Sequence, residues 1–151
     1  MPTLTITQGL PGSGKSTWAR DRVRQIRTEG HQAGIVGRDM IRDMLGVDHY
    51  GNDIDERTVT LVQHSLVECL LLANIDVVVD DTNLNPVCRD RLRNLATRVS
   101  ANFSVVDFTW VALEICIERD KRRPPRVPFG CAGAQVGEHV IRDLNVQHLA
   151  Q

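Results

Sequence analysis

The sequence contains few aromatic residues and carries almost no net charge. Phe, Trp and Tyr make up 4% of its 151 residues, so a hydrophobic core must rest on Val, Leu and Ile. The formal net charge of −1 gives no global basic field, and contact with nucleic acid would need a local basic patch. The most apolar stretch, residues 65–73, is interrupted by Glu68 and is too short to span a bilayer. No signal peptide is visible at the N-terminus, and we expect a cytoplasmic protein without a membrane partner.

The cysteines lack the spacing of a zinc or redox site. Cys69, Cys88, Cys116 and Cys131 are widely separated and form no C-x-x-C pair. Disulfides are rare in cytosolic proteins, and free cysteines are among the most buried residue types. We therefore expect four reduced thiols, most of them facing the core.

A glycine-rich segment near the N-terminus, GLPGSGKST at residues 9–17, fits the pattern G-x-x-x-x-G-K-[ST]. An alternating apolar run precedes it and a helix-compatible segment follows, which favours a phosphate-binding loop over a chance glycine-rich turn. Glycines let backbone N–H groups converge on an anion at a helix N-terminus. The lysine of such a loop reaches the β- and γ-phosphates, and the serine hydroxyl can ligate Mg²⁺. The predicted nucleotide-binding residues are Gly12, Ser13, Gly14, Lys15, Ser16 and Thr17, with Ser16 also the predicted metal ligand.

Predicted strands and helices alternate along the chain. This pattern is typical of a parallel sheet with helices on both faces. We predict one α/β domain over residues 1–151, with the three-layer fold of P-loop NTPases and kinases. The predicted strands are residues 3–8, 33–37, 75–79 and 103–109. The predicted helices are residues 16–27, 39–45, 55–73, 86–99, 113–122 and 134–148.

Helical spacing also predicts which side chains are buried. The helix over residues 55–73 carries an apolar stripe at Val59, Val62, Leu66 and Leu70. The next helix has Asn85 as its predicted N-cap, followed by Pro86 at the first helical position. Its predicted inner face is formed by Cys88, Leu92, Leu95 and Val99.

Ligands in such folds collect at the carboxyl ends of the strands, where polar residues follow two further predicted strands at Asp39 and at residues 80–83. Asp39 could align an acceptor hydroxyl and accept its proton late in phosphoryl transfer, or it could cap the following helix. Arg42 could clamp an acceptor phosphate or be a solvated surface arginine. His49 and Tyr50, in the loop that follows, could stack on an acceptor base or simply be exposed.

Two carboxylates and two arginines also need an interpretation. One of Asp80 and Asp81 could lie near Mg²⁺ through water, or it could only orient the following turn. Arg119 and Arg123 are four residues apart, so they share one helical face and could both point at the bound nucleotide. The proline-rich residues that follow would let the region 119–130 close as a lid. The alternative is a solvated basic helix end that the helix dipole favours.

Four segments stand in a characteristic order along nearly the whole chain. They are GLPGSGKSTWAR at 9–20, RDMIRDML at 38–45, DDTNLNP at 80–86 and the arginine-rich residues 119–128. Together they resemble the kinase domain of phage-type 5′-hydroxyl polynucleotide kinases. Many small P-loop kinases share the first segment, whereas the RD-x-x-R and DTNLNP segments are more discriminating.

The resemblance implies roles on the phosphate-donor side. Lys15 and Ser16 match the pair that binds phosphate and metal. Arg119 and Arg123 match two lid arginines, one near the nucleobase and one on the donor phosphates. Lys15 and Arg123 are thereby expected to be catalytic, with ATP and Mg²⁺ as cofactors.

The resemblance also implies roles on the acceptor side. Asp39 matches the general base and is expected to be catalytic. Arg42 matches the arginine that holds the phosphate next to the acceptor nucleoside. Asp81, Thr82 and Asn83 match the segment that lies beside the acceptor.

The expected reaction is ATP-dependent phosphorylation of 5′-hydroxyl ends of RNA or DNA, with a single-stranded end as the expected partner. The D-x-D-G-T motif of the family's phosphatase domain does not occur, so no phosphatase activity is expected from this chain. One alternative is a P-loop kinase of a small molecule or nucleotide sugar, which the near-neutral charge favours. Another is a nucleotide-dependent switch, which the carboxylate at Asp39 and the lid arginines oppose.

Overall fold

A parallel sheet forms the centre of the domain. The structure is a computed structural model that describes residues 1–47 and 53–150. Of residues 53 and 54 it describes the backbone only. The strands within these residues are β1 (Thr3–Gln8), β2 (Ala33–Val36), β3 (Asp76–Val79) and β4 (Asn102–Asp107). They are ordered β2-β3-β1-β4, and each neighbouring pair is parallel. The predicted parallel α/β sheet is confirmed.

Helices connect the strands and cover the sheet. They are α1 (Lys15–Thr28), α2 (Arg38–Leu45), α3 (Asp53–Leu72), α4 (Pro86–Arg98), α5 (Leu113–Lys121) and α6 (Glu138–His148). The predicted start of the last helix at residue 134 is wrong, because α6 begins four residues later. The backbone N–H groups of Val136 and Gly137 donate instead to the carboxylate of Asp120 on α5, at 3.0 and 2.9 Å.

Apolar side chains cover both faces of the sheet. In β3, Val77 and Val79 pack in the core formed with α3 and α4, whereas Val78 packs against α1 on the other face. All three side chains are at most 1% exposed, as expected for a central strand between two helical layers. A third cluster joins α5 and α6 around Leu10 and Ile141. The arrangement is the predicted three-layer fold.

The buried face of α3 agrees only in part with the predicted stripe, of which Val59 is buried and Val62 and Leu70 pack against the core. Val59 and Val67 are fully buried and Gln63 lies between them on the same face, whereas Leu66 is 39% exposed. Apolar residues occur around most of this helix, so periodicity alone does not select one face. The face turned inward carries Gln63, whose amide donates to Asp81 after β3.

The cysteines are divided between core and surface. Cys116 and Cys131 are buried, whereas Cys69 and Cys88 are exposed, and all four are free thiols. The expectation that most cysteines face the core therefore fails for two of them, including Cys88 on the predicted inner face of α4. No helix within residues 1–47 and 53–150 has the length and apolarity needed to cross a membrane.

Candidate active site

The glycine-rich loop joins β1 to α1 at the carboxyl edge of the sheet. Gly14 is the N-cap residue of α1 and has a φ of 102°. Gly12 has a φ of 84°, and a Cβ atom there would lie 2.3 Å from the carbonyl oxygen of Cys116 on α5. Glycine alone permits this combination of positive φ and close approach. The N-terminus of α1 therefore opens on the space where a phosphate would bind.

Lys15 is buried beneath this loop, at 7% exposure. Its Nζ donates to the carbonyl oxygen of Leu10 at 2.6 Å and to Oγ of Ser13 at 3.3 Å. Burial lowers the pKa of the Lys15 ammonium to about 8, although the nearby Asp80 carboxylate opposes the shift. A bound phosphate would supply a much closer counter-charge for this cation.

Asp39 lies in the first turn of α2, after the N-cap residue Gly37. The alternative prediction that Asp39 caps this helix is therefore wrong. Its Oδ1 accepts a hydrogen bond from Nη1 of Arg42 at 2.9 Å and a longer one from Nη1 of Arg126 at 3.4 Å. The Asp39 side chain is 34% exposed, so an acceptor hydroxyl can reach it.

Arg42 is buried, and the alternative of a solvated surface arginine is wrong. Its Nε and Nη2 donate to the two carboxylate oxygens of Glu56 on α3, at 2.9 and 2.8 Å. Burial alone would lower the pKa of the Arg42 guanidinium, but the hydrogen bonds and charges of Glu56 and Asp39 raise it. Arg42 is thus a permanently charged group fixed beside Asp39. Glu56, which fixes it, is a site residue that the sequence did not indicate.

The two carboxylates after β3 have different surroundings. Asp81 accepts a hydrogen bond from the backbone N–H of Arg38 at 2.9 Å and one from Nε2 of Gln63 at 2.5 Å. Burial raises the pKa of the Asp81 carboxyl to about 7, against the opposing effect of these hydrogen bonds. Asp81 therefore fixes the start of α2, and with it the position of Asp39. The charge of Asp80 acts on the Lys15 ammonium more strongly than the charge of Asp81 does.

Thr82 and Asn83, both predicted to lie beside the acceptor, have different surroundings. Thr82 borders the same cavity as Asp39, whereas Asn83 does not line that cavity. Asn83 is 7% exposed, and its Nδ2 donates to the carbonyl oxygen of Thr7 at 2.8 Å. Its side chain thus fixes the ends of β1 and β3. His49 and Tyr50, predicted to stack on a base, lie outside the described residues.

The predicted catalytic side chains meet in one cavity of about 300 Å³. Apolar residues of α6 form its far wall, with Val140 and Leu144 among them. The charged and polar side chains that line it are Lys15, Ser16, Arg38, Asp39, Arg42, Asp80, Asp81, Thr82 and Arg123. The side chains predicted to bind phosphate, to bind the acceptor and to belong to the lid therefore border a single space.

Ser16 and Asp80 fit the binding of a hydrated Mg²⁺. Both supply oxygen atoms to the cavity that Lys15 lines. Mg²⁺ at phosphate sites takes one or two protein oxygens and completes its shell with phosphate oxygens and water. Within residues 1–47 and 53–150, no group of three His, Cys, Asp or Glu side chains forms a metal cage. The metal would therefore depend on the bound nucleotide for several ligands.

A second cleft of about 570 Å³ lies on the outer side of the glycine-rich loop. It is lined by Gly12, Gly14, Thr17, Trp18, Asp21, Arg119 and Arg123. Arg123 borders both this cleft and the cavity that contains Asp39. We propose that this cleft, the nucleotide cleft, takes the nucleoside of ATP, with Arg123 beside the phosphates that would connect the two spaces. Sequence reasoning missed Trp18, although its place in the first turn of α1 was a usable signal.

The four arginines of the lid region face different surroundings. Nη1 of Arg119 lies 3.4 Å from a carbonyl oxygen of the glycine-rich loop. Arg122 is exposed and pairs with Glu118 on the surface of α5. Arg126 contacts Asp39, which places it on the acceptor side. Arg123 lines both the cavity that contains Asp39 and the cleft beside the glycine-rich loop.

The lid region is attached to α2. The carboxylate of Asp43 accepts hydrogen bonds from the backbone N–H groups of Cys131 and Ala132, at 2.7 and 3.0 Å. This contact holds the residues after the proline-rich stretch against the helix that carries Asp39. The residues that directly follow the predicted lid region are therefore fixed to α2.

One protein family matches nearly the whole chain. Its description is AAA domain, and its model, AAA_33, matches residues 4–145. The chain belongs to this AAA domain family. The glycine-rich loop and the parallel sheet of this AAA domain are those of a P-loop kinase.

Relatives of this AAA domain include kinases with different acceptors. The L-seryl-tRNA(Sec) kinase of Methanococcus maripaludis is 27% identical over 127 residues, which are 83% of this chain and 48% of the relative. The adenylyl-sulfate kinase of Halothermothrix orenii is 30% identical over 112 residues, which are 74% of this chain and 58% of the relative. The chain thus spans about half the length of the curated relatives it matches.

A solved structure of the Pnkp1/Rnl/Hen1 RNA repair complex is also similar to the AAA domain. Its matching chain is 27% identical, with a TM-score of 0.72. The match covers 97% of this chain and 46% of that chain. Together, the family, the relatives and the sheet topology support a P-loop domain with the kinase fold.

Proposed function

We propose that this AAA domain transfers the γ-phosphoryl group of ATP to the 5′-hydroxyl end of RNA or DNA. The observation that carries the proposal is the placement of Asp39, fixed by Arg42, in the cavity that Lys15 and Ser16 line. A carboxylate there serves an acceptor hydroxyl, whereas a hydrolase needs a group that orients water. The RD-x-x-R and DTNLNP segments support a polynucleotide acceptor, as does the similarity to a chain of an RNA repair complex.

In the proposed reaction, the 5′ oxygen forms a bond to the γ-phosphorus while the bond from that phosphorus to the β,γ-bridging oxygen breaks. The hydroxyl proton passes to Asp39, and ADP leaves with the electron pair of the broken bond. Lys15 and Arg123 stabilise the negative charge on the transferring group. Mg²⁺ held by Ser16, and through water by Asp80, would neutralise charge on the β- and γ-phosphates.

Asp39 acts mainly by orientation. The guanidinium groups of Arg42 and Arg126 lie 2.9 and 3.4 Å from its Oδ1 and hold the side chain in place. An aspartate carboxylate is a weak base toward an alcohol in the ground state. Proton transfer is therefore expected late, when the bond to the leaving group is already largely broken. Most of the rate gain then comes from holding the hydroxyl in line with the γ-phosphorus.

Phosphorylation of a small molecule is the second candidate function. The 30% identity to an adenylyl-sulfate kinase favours it, as does the absence of a global basic field. The two candidates differ in what an oligonucleotide does to the reaction. A 5′-hydroxyl oligonucleotide should itself become phosphorylated if the first is correct, and adenylyl sulfate or a nucleotide sugar should be preferred if the second is.

The proposal is tested by incubating the protein with γ-labelled ATP, Mg²⁺ and a 5′-hydroxyl oligonucleotide. We expect label in the oligonucleotide, and we expect Asp39→Asn to lower kcat by about 10²- to 10⁴-fold while ATP affinity stays nearly constant. Asp90→Asn, on the exposed surface of α4, is the matched control and should keep the wild-type rate. Folded wild-type protein that binds ATP but labels no oligonucleotide would contradict the proposal.

A further inference from the structure

Arg123 lies just beyond the end of a helix. α5 ends at Lys121, and Arg123 is the second residue after it. The Arg123 side chain is 29% exposed and borders both the nucleotide cleft and the cavity that contains Asp39. A long side chain outside regular structure has many rotamers available unless other contacts hold it. The position of this guanidinium therefore depends on its neighbours.

Asp120, in the last turn of α5, is the neighbour that pairs with Arg123. Its Oδ1 lies 3.5 Å from Nη1 of Arg123, and its carbonyl oxygen accepts a hydrogen bond from the Arg123 backbone N–H at 3.0 Å. No other carboxylate in the part of the chain that the structure describes lies within ion-pair distance of Arg123. The Asp120 side chain is only 1% exposed, so water and salt screen this pair less than a surface pair.

The Asp120 carboxylate is itself fixed from another segment. The backbone N–H of Val136 donates to both of its oxygens, at 3.0 and 3.2 Å, and the N–H of Gly137 donates to Oδ2 at 2.9 Å. These amides precede α6, which forms the far wall of the cavity. Arg123 is thus paired with an anion that three hydrogen bonds hold in place.

Arg123 needs such an anion because a second cation is close by. Lys15 lines the same cavity. Burial is the main cause that lowers the pKa of the Lys15 ammonium, and the positive charge of Arg123 lowers this pKa further. Two cations in one cavity repel each other. Lys15 is buried, so without Asp120 the repulsion would turn the partly exposed Arg123 toward solvent.

We propose that Asp120 is a positioning residue that holds the Arg123 guanidinium toward the cavity before ATP binds. The inference rests on the proposed function and on the role given there to Arg123. A group that is already in place stabilises the charge of the transferring phosphoryl group without reorganising. The 3.5 Å contact is longer than an ordinary hydrogen bond, so the guanidinium N–H groups stay available to phosphate oxygens.

A double-mutant cycle tests this role. The variants are Asp120→Asn, Arg123→Gln and the double variant. The asparagine keeps the shape of the side chain and one acceptor oxygen for the two backbone amides, but it loses the charge that Arg123 faces. Glu118→Gln is the matched control, because Glu118 is exposed on the same helix and pairs with Arg122. Rates with γ-labelled ATP and a 5′-hydroxyl oligonucleotide give kcat and the KM for ATP.

We expect Asp120→Asn to lower kcat by about 10- to 100-fold, the effect of displacing a catalytic group. The KM for ATP should change less than about threefold, because the guanidinium acts mainly on the transition state. Arg123→Gln should lower kcat by about 10³-fold or more. The double variant should match Arg123→Gln within about threefold, because Asp120 acts through Arg123. Glu118→Gln should match the wild type.

Three results would overturn the inference. Losses in kcat that multiply in the double variant would mean that Asp120 supports the fold and does not act through Arg123. A wild-type kcat in Asp120→Asn would show that the charge of Asp120 is not needed. A wild-type kcat in Arg123→Gln would leave nothing for Asp120 to position. Thermal unfolding checks each variant, and Asp120→Ser, which is smaller and keeps one acceptor oxygen, enters the same cycle if the asparagine variant does not fold.

Binding keeps this inference separate from the proposed function. If the folded wild type labels no oligonucleotide, the proposed function has failed. Calorimetry then compares ADP plus aluminium fluoride, which mimics a transferring phosphoryl group, with a non-hydrolysable ATP analogue, both with Mg²⁺. The inference is supported if both single variants bind ADP plus aluminium fluoride at least about tenfold more weakly, relative to the ATP analogue, and the double variant loses no more. Unchanged binding by Asp120→Asn, or losses that multiply, overturns it.

Discussion

Glu56 on α3 holds Arg42 on α2 through both carboxylate oxygens, at 2.9 and 2.8 Å. Arg38 donates to the same carboxylate, at 2.7 Å from Nη2 to Oε2. The pair therefore connects two helices that flank the cavity and fixes the guanidinium that contacts Asp39. A residue that never touches the reacting atoms thus controls the geometry of the candidate base.

Replacing Glu56 with Gln should lower kcat by roughly 10- to 100-fold, because small displacements of a catalytic group have effects of this size. The glutamine keeps the shape of the side chain but loses one acceptor and the negative charge. ATP affinity should stay within about twofold of wild type, since Glu56 does not line the nucleotide cleft. Glu68→Gln is the control on the same helix, where Glu68 pairs with Arg98 at the surface. Equal rates for both variants would contradict the role given to Glu56.

Asp81 should make the stability of the fold depend on pH. Burial raises the pKa of its carboxyl from 3.8 to about 7. A raised folded-state pKa means that the stabilisation is complete below the unfolded-state pKa and is lost as pH rises through the folded-state pKa. The free energy of unfolding should therefore fall between about pH 4 and 7, by at most about 1.4 kcal/mol per pH unit.

Urea unfolding of the wild type and Asp81→Asn, without nucleotide or Mg²⁺, isolates this effect. The asparagine cannot ionise, so the variant should not lose this stability. As pH rises, the unfolding free energy of the wild type should therefore fall relative to that of Asp81→Asn. A difference that is constant from pH 4.5 to 8 would show that the Asp81 carboxyl titrates normally.

Lys15 should make ATP binding weaker at alkaline pH. Burial lowers the pKa of its ammonium to about 8, and phosphate binding requires the charged form. Above pH 8 the Kd for ATP should rise by up to about tenfold per pH unit. Trp18 lines the nucleotide cleft and the chain has only two tryptophans, so Trp18 fluorescence in a Trp110→Phe background reports binding. Lys15→Arg should bind ATP with little pH dependence between pH 7 and 9.5. An equally flat profile for the protein that retains Lys15 would contradict the lowered pKa of Lys15.

Gly12 and Gly30 separate the effect of a close approach from the effect of a positive φ. Their φ angles are 84° and 88°, but a Cβ at Gly12 would meet the carbonyl oxygen of Cys116 at 2.3 Å, whereas a Cβ at Gly30 has nothing within 4 Å. Gly30→Ala should cost about 1 kcal/mol of unfolding free energy, and Gly12→Ala about 2–4 kcal/mol. Gly12→Ala should also lose ATP binding. Equal losses of unfolding free energy for the two variants in urea would show that Cys116 on α5 does not lie as close to Gly12 as described.

Much of the fold was predictable from local sequence. Each strand of the described residues was identified, and β3 most clearly, because a central parallel strand between two helical layers is short, apolar and rich in β-branched residues, as at Val77–Val79. Asn85 and Pro86 start α4 as predicted, with the Asn85 side chain accepting a hydrogen bond from the N–H of Val87 at 2.9 Å. The start of α6 was not predictable, because Asp120 holds the preceding amides from another helix.

The site residues were predictable only where they belong to one short sequence segment. The glycine-rich loop and Asp39 are defined by their neighbours in sequence and by the rule that ligands gather at strand ends. Glu56, Gln63 and Arg126 act through contacts with residues 14 to 87 positions away, and no local pattern marks them. Three members of the predicted stripe on α3, Val59, Val62 and Leu70, do lie in or against the core. Gln63 was missed on this side of α3, because it turns inward to donate to Asp81.

Asp39 and Lys15 line one cavity, which we propose takes a 5′-terminal hydroxyl. The most direct test uses γ-labelled ATP and two oligonucleotides of the same sequence, one with only its 5′-hydroxyl free and one with only its 3′-hydroxyl free. We predict that label enters the first oligonucleotide alone, and that Asp39→Asn removes most of this transfer. Label in the second oligonucleotide, or full transfer by Asp39→Asn, would contradict it.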